Sequence, residues 1–139
     1  MNNSLMFSSQ SDDWETLLEL FNSLNKKFNF TLDVCASFEN KKVDKFYSSI
    51  DDGLSKNWDN DICWMNPLYG REISKWIKKA SESNTLVVAL LLARTDTKWF
   101  HDYIYNTSNK VEFLKGRLKF NKHKNSALFP SMLVFFNLL

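Results

Sequence analysis

Leu86-Val87-Val88-Ala89-Leu90-Leu91-Leu92-Ala93 is an unbroken apolar run, and it sets the tightest limit on how this chain can fold. The run is far too short to span a bilayer, which needs ~20 residues. It has no alternation, so a strand built from it can show neither face to water. Such strands belong inside parallel sheets with helices packed on both sides. The chain therefore has to supply flanking strands and amphipathic helices in alternating order, the pattern of an α/β fold.

The neighbouring segments meet that demand. Leu17, Leu18, Phe21, Leu24 and Phe28 keep a helical spacing after Ser11-Asp12-Asp13, a group suited to capping, so a helix is expected from Trp14 onward. Phe30 to Ala36 alternates as a strand does, Phe46 to Ser49 is a weaker strand, and Asp61-Ile62-Cys63-Trp64-Met65 is a short buried one. Ile73, Trp76, Ile77 and Ala80 form one face of a second helix, with Lys75, Lys78 and Lys79 on its solvated face. Thr95-Asp96-Thr97 caps a third helix carrying Trp99, Phe100, Tyr103 and Ile104. Lys110 to Leu114 and Leu118 to Phe120 read as strand pieces around Gly116, and Ala127 to Phe136 as a last buried strand. The expected architecture is a mainly parallel sheet closed by an antiparallel hairpin element at the carboxyl end. It forms a single domain over residues 1–139, with 1–11 flexible and no separate target-recognition domain.

Composition narrows the function classes. A chain of 139 residues, 44% hydrophobic and 15% aromatic, can bury a core of its own. Its net charge is only +2, so a polyanionic partner would have to be met by a local cluster. Lys115, Arg117, Lys119, Lys122, His123 and Lys124 form the densest one, suited to phosphate contacts and equally consistent with a solvated hairpin. Two isolated cysteines, Cys35 and Cys63, make neither a disulfide scaffold nor a zinc site and read as reduced core residues. With a polar amino terminus and no apolar leader, the protein is expected to be soluble and cytoplasmic, with no membrane partner.

The chemistry concentrates where the Asp61–Met65 strand runs into Asn66-Pro67-Leu68-Tyr69-Gly70. Pro67 pushes Asn66 out of the helical region and ends strand pairing, which leaves the Asn66 amide and the next carbonyls free to face a cleft. Tyr69 adds a ring beside them. An amide acceptor, a free carbonyl and an aromatic face suit a planar group bearing an NH2, of which a nucleobase is the obvious candidate.

Asn66-Pro67-Leu68-Tyr69 resembles the (Asp/Asn/Ser)-Pro-Pro-(Tyr/Phe) motif of amino-group methyltransferases, with Leu68 in place of the second proline. Further matches follow in order: Trp14-Glu15-Thr16, Leu32-Asp33-Val34-Cys35-Ala36-Ser37, Asp51-Asp52-Gly53-Leu54, Arg94 to Phe100, Gly116-Arg117-Leu118-Lys119-Phe120 and Phe129-Pro130-Ser131. Together they are similar to the small phage-type DNA N-6-adenine methyltransferases (Dam-like) over nearly the whole chain. The resemblance implies a minimal Rossmann-like fold, S-adenosylmethionine as methyl donor, no metal, and DNA as partner. It implies catalytic roles for Asn66, Pro67 and Tyr69. The candidate cofactor set is Trp14, Thr16, Asp33, Ala36, Ser37, Asp52 and Asn66, with Asp52 chosen over Asp51 and Glu39 as the acid at a strand's end; the candidate DNA contacts are Arg94, just past the long strand, and Lys115, Arg117, Lys119, Lys122 and Lys124 of the basic cluster. The chain lacks the family's proline soon after Trp-Glu-Thr and has no glycine-rich phosphate loop. Asp33 could instead cap the following turn, and Asp51-Asp52-Gly53 is also an ordinary turn sequence. Two other readings remain open: methyl transfer to an RNA base or a protein amide, and a degenerate, non-catalytic nucleic-acid-binding protein.

Overall fold

The computed structural model describes residues 16–119 and 129–138. Along the chain run α1 (Leu17–Phe28), β1 (Leu32–Asp33), a 3-10 turn (Gly53–Ser55), β2 (Cys63–Met65), α2 (Ile73–Glu82), β3 (Val87–Leu92), α3 (Lys98–Tyr103), β4 (Lys110–Phe113) and β5 (Ser131–Phe136). The strands form one mixed sheet in the order β1-β2-β3-β5-β4. β1, β2 and β3 pair in parallel, whereas β5 is antiparallel to both β3 and β4.

β3 lies at the centre, as its unbroken apolar run requires. Val87, Ala89 and Leu91 point into a core shared with Ile73, Ile77 and Ala80 of α2 and with Trp99 and Phe100 of α3. Val88 and Leu90 point the other way, toward Leu17, Leu20, Phe21 and Leu24 of α1. β5 is buried at every position and divides its side chains between the same two cores. Both faces of the sheet are thus covered.

Three expectations change. α1 begins at Leu17 rather than at Trp14, because Thr16 and Glu19 close a capping box: the Glu19 N–H donates to Thr16 Oγ1 at 3.2 Å and the Thr16 N–H to Glu19 Oε1 at 3.0 Å. β1 pairs over two residues only. The Val34 N–H still donates to the Trp64 carbonyl, and Phe46 bridges Asp33 in parallel on the outer side, where the weaker strand was expected. The antiparallel element at the carboxyl end is β4 on β5, not a hairpin around Gly116. Past that glycine, Lys119 bridges Thr16 instead.

At the amino-terminal end of the strands, Asp61 ties the edges together. It accepts from Thr31 Oγ1 at 3.0 Å and from Lys45 Nζ at 2.8 Å. Asn137, in the left-handed region at φ 65°, donates its side-chain amide to the carbonyls of Ala80 and Thr85 and so pins the end of β5 to α2. No helix among the described residues is long and apolar enough to cross a membrane.

Candidate active site

The carboxyl ends of β1, β2 and β3 and the start of β5 open into a cavity of about 470 Å³ on the α1 side of the sheet. This size suits a small-molecule ligand. The position is where open α/β sheets hold their ligands, because the strand ends release backbone and loop groups there. Asp33, Asn66, Pro67 and Tyr69 all line it, so four residues named from the sequence meet in one space.

Asn66 is half-buried and Pro67 buried. Among the described residues no hydrogen bond engages the Asn66 side-chain amide or the Pro67 carbonyl. Two acceptors on consecutive residues therefore stand open at the cavity wall. Tyr69 is fixed beside them for a reason that lies in the sheet. β2 ends at Met65, so the β3 N–H groups that face β2 run out of partners, and Tyr69 Oη accepts from the Leu92 N–H. Burial raises the pKa of this hydroxyl, which stays a neutral phenol.

Asp33 lies at the floor, 3% exposed. The Lys42 N–H donates to Oδ2 at 3.0 Å, whereas Oδ1 is buried without a partner. Burial lifts the carboxyl pKa to about 6; the Lys42 and Cys35 backbone N–H groups and the Lys42 ammonium oppose the rise. An acceptor kept dry and unpaired in a cavity wall is poised for a donor on a ligand. Cys35 lines the same wall, its thiol pushed up to about 12 by burial, which leaves it protonated and unreactive.

The remaining candidates divide by place. Thr16 spends its side chain on the α1 cap, although the next residue, Leu17, lines the cavity. Ala36 and Ser37 lie behind the wall: the Ser37 N–H donates to Asn40 Oδ1 at 2.7 Å, and Asn40 is the residue that reaches the cavity. Asp52 is exposed and left-handed at φ 55°, outside the lining set. Arg94 pairs with Asp96 and lies 4.8 Å over the Phe129 ring. Lys115, Arg117 and Lys119 are exposed on a segment that borders the cavity at two points. The Leu114 N–H donates to the carbonyl of Ser131, and the Lys119 carbonyl accepts from the Leu17 N–H, both at 2.9 Å; Ser131 and Leu17 are lining residues. Trp14, Lys122 and Lys124 lie outside the described residues.

Sequence reasoning missed Asn40, Lys42 and Ser131. The first two belong to a charged loop without periodicity. The Ser37-to-Asn40 spacing, which lets each side chain bond the other's backbone N–H, is the one signal that could have exposed them.

A second, more open cavity of about 550 Å³ lies between α3 and β4. Some of its polar groups are paired: His101 Nε2 sits 2.9 Å from the Thr95 carbonyl, and Thr107 Oγ1 donates to the Ile104 carbonyl. The first cavity is the one that brings together site residues named from the sequence. Among the described residues no group of three His, Cys, Asp or Glu side chains is placed to hold a metal ion.

Comparison with known proteins finds a family and two relatives. The sequence model of the family described as DNA N-6-adenine-methyltransferase (Dam) matches residues 3–138. The chain is similar to the DNA N-6-adenine-methyltransferase of Haemophilus phage HP1 (strain HP1c1), with 31% identity over 140 residues, covering 92% of this chain and 80% of that protein. It is also similar to the protein of the same name from Escherichia phage T1, with 35% identity over 105 residues; there the match covers 72% of this chain and 44% of the longer phage T1 protein.

Proposed function

The chain belongs to the DNA N-6-adenine-methyltransferase (Dam) family, and from that premise we propose that it transfers a methyl group from S-adenosylmethionine to the 6-amino nitrogen of adenine in DNA. The observation that carries this reading is the meeting of two unengaged acceptors, a fixed tyrosine ring and an unpartnered buried carboxylate oxygen in one cavity. The sheet is read as a minimal Rossmann-like fold whose three parallel strands carry the site at their carboxyl ends.

The residues present fit the methyl donor. Asp33 Oδ1 would accept from an ammonium or hydroxyl group, Asn40 offers an amide, and Leu17, Trp64 and Leu90 form an apolar wall. S-adenosylmethionine supplies a methyl group on a sulfonium, which leaves as a neutral thioether. The protein's task lies with the acceptor. Adenine's amino lone pair is delocalised into the ring, and hydrogen bonds from its two N–H groups draw that lone pair back onto nitrogen. Asn66 Oδ1 and the Pro67 carbonyl take those two bonds, and Tyr69 stacks on the base and holds the nitrogen in line with the methyl group. Transfer would be a direct displacement after which the methylated, cationic amino nitrogen gives up one proton to water, so positioning and electrostatics carry it, without a covalent enzyme intermediate. An adenine in duplex DNA must first leave the stack to enter the cavity.

The deciding experiment is transfer of labelled methyl groups to DNA, RNA and protein, followed by nucleoside analysis of the DNA. Label in N6-methyladenine is the expected result. Label confined to RNA or protein would replace this reading with one of the alternatives. Cofactor binding without transfer to any acceptor would make the chain a degenerate binder.

A further inference from the structure

Leu68 stands where the family motif has its second proline, and it is 90% exposed at the rim of the cavity. A leucine so exposed is ordinary on a surface in isolation. This one is flanked by a buried proline and by a tyrosine whose hydroxyl is fixed to the end of β3. The backbone on either side is thus held, and the isobutyl group projects from a fixed turn rather than a loose loop. Nothing in the proposed chemistry uses it, because the acceptors belong to its neighbours.

The rim around it matches one kind of surface. Tyr69 beside it is exposed too and is bonded to Leu92, two residues before Arg94, whose guanidinium, paired with Asp96, lies 4.8 Å over the exposed Phe129 ring. Apolar side chains that project beside cationic ones fit a base stack flanked by phosphates, where they enter between base steps and hold them apart.

We propose that Leu68 is a positioning residue that inserts into the DNA duplex beside the target adenine and holds open the gap its extrusion leaves. The inference rests on the methyltransferase reading above. It assigns Leu68 to the opening of the duplex and not to the methyl transfer itself. A side chain that merely supports the turn, or that covers the bound base, would matter equally for paired and unpaired targets.

The test uses an oligonucleotide containing the adenine found methylated in the labelling experiment, either paired with thymine or placed opposite an abasic site. Leu68→Ala should lower kcat/KM on the paired duplex about tenfold or more and change it less than about threefold on the abasic duplex, where extrusion costs little. Leu68→Met, which keeps an apolar wedge, should restore most of the paired-duplex rate. 2-Aminopurine at the target position should brighten less with Leu68→Ala than with the parent, and cofactor affinity should not move. Equal losses on the two duplexes, or no loss on the paired one, overturn the assignment while leaving the methyltransferase reading intact. A parent protein inactive on both duplexes overturns that reading, and the wedge with it.

Discussion

Asp33 shows how a single residue can set stability against function. Its carboxyl pKa is near 6 in the folded protein and 3.8 as an unperturbed group, so the folded state binds the extra proton between roughly pH 4 and 6. Stability from this residue is therefore present at the acid end and lost as pH rises through that window, by up to about 3 kcal/mol at ~1.4 kcal/mol per pH unit. Asp33→Asn should abolish this slope in urea titrations between pH 4 and 7; a slope that survives assigns it to other groups. A donor on the cofactor favours the carboxylate, so affinity in the parent should rise through pH 6 and level off, whereas the variant should bind weakly at every pH. Asn66 makes the complementary case. Its amide has no structural bond to lose, so Asn66→Ala should cut methyl transfer about 10²-fold or more, the scale for one preorganised polar contact to a transition state. Its melting temperature should match the parent. A variant that melts early and keeps its rate per folded molecule would make the motif a structural turn.

Among the elements, those defined by burial or a local backbone constraint were legible in the sequence. β3 follows from its apolar run, α3 from Thr97 and the aromatic residues after it, and the turn after β2 from Pro67. Pairing was not legible, because β4 finds its partner in β5 across the intervening segment, and no property of Lys110–Phe113 specifies that choice. The start of α1 was misplaced because apolar spacing was weighed ahead of the Thr16-to-Glu19 box. Asp51-Asp52-Gly53 does form a turn, but its glycine serves packing. Asp52 carries the left-handed conformation, and Gly53 is needed because a Cβ there would collide with the Val34 carbonyl and lie 3.1 Å from the Trp76 ring. It is also the acceptor for the buried Trp58 indole N–H, at 2.9 Å. Gly53→Ala should destabilise the protein by about 1–3 kcal/mol through overpacking, read as an earlier thermal midpoint. Parent-like melting would mean that the loop moves aside freely.

At the scale of the whole molecule, a net charge of +2 offers DNA almost no general attraction, so affinity has to come from where the charges sit. The structure brings the basic segment after β4 to the cavity: Leu114 is bonded to Ser131 at one side of the opening and Lys119 to Leu17 at the other. DNA that delivers an adenine to Asn66 would pass its phosphates over Lys115 and Lys119. Each phosphate neutralised releases condensed counterions and adds about 0.9 to the log–log slope of affinity against salt. Lys115→Gln with Lys119→Gln should therefore weaken binding of a duplex and flatten that slope by up to about two units. Cofactor affinity should be unaffected, since neither side chain lines the cavity. Fluorescence anisotropy across a salt series reads the slope directly. If the double variant and the parent give parallel lines, these lysines are a solvated surface, and the phosphate contacts belong to Arg94 or to Lys122 and Lys124 further along the chain.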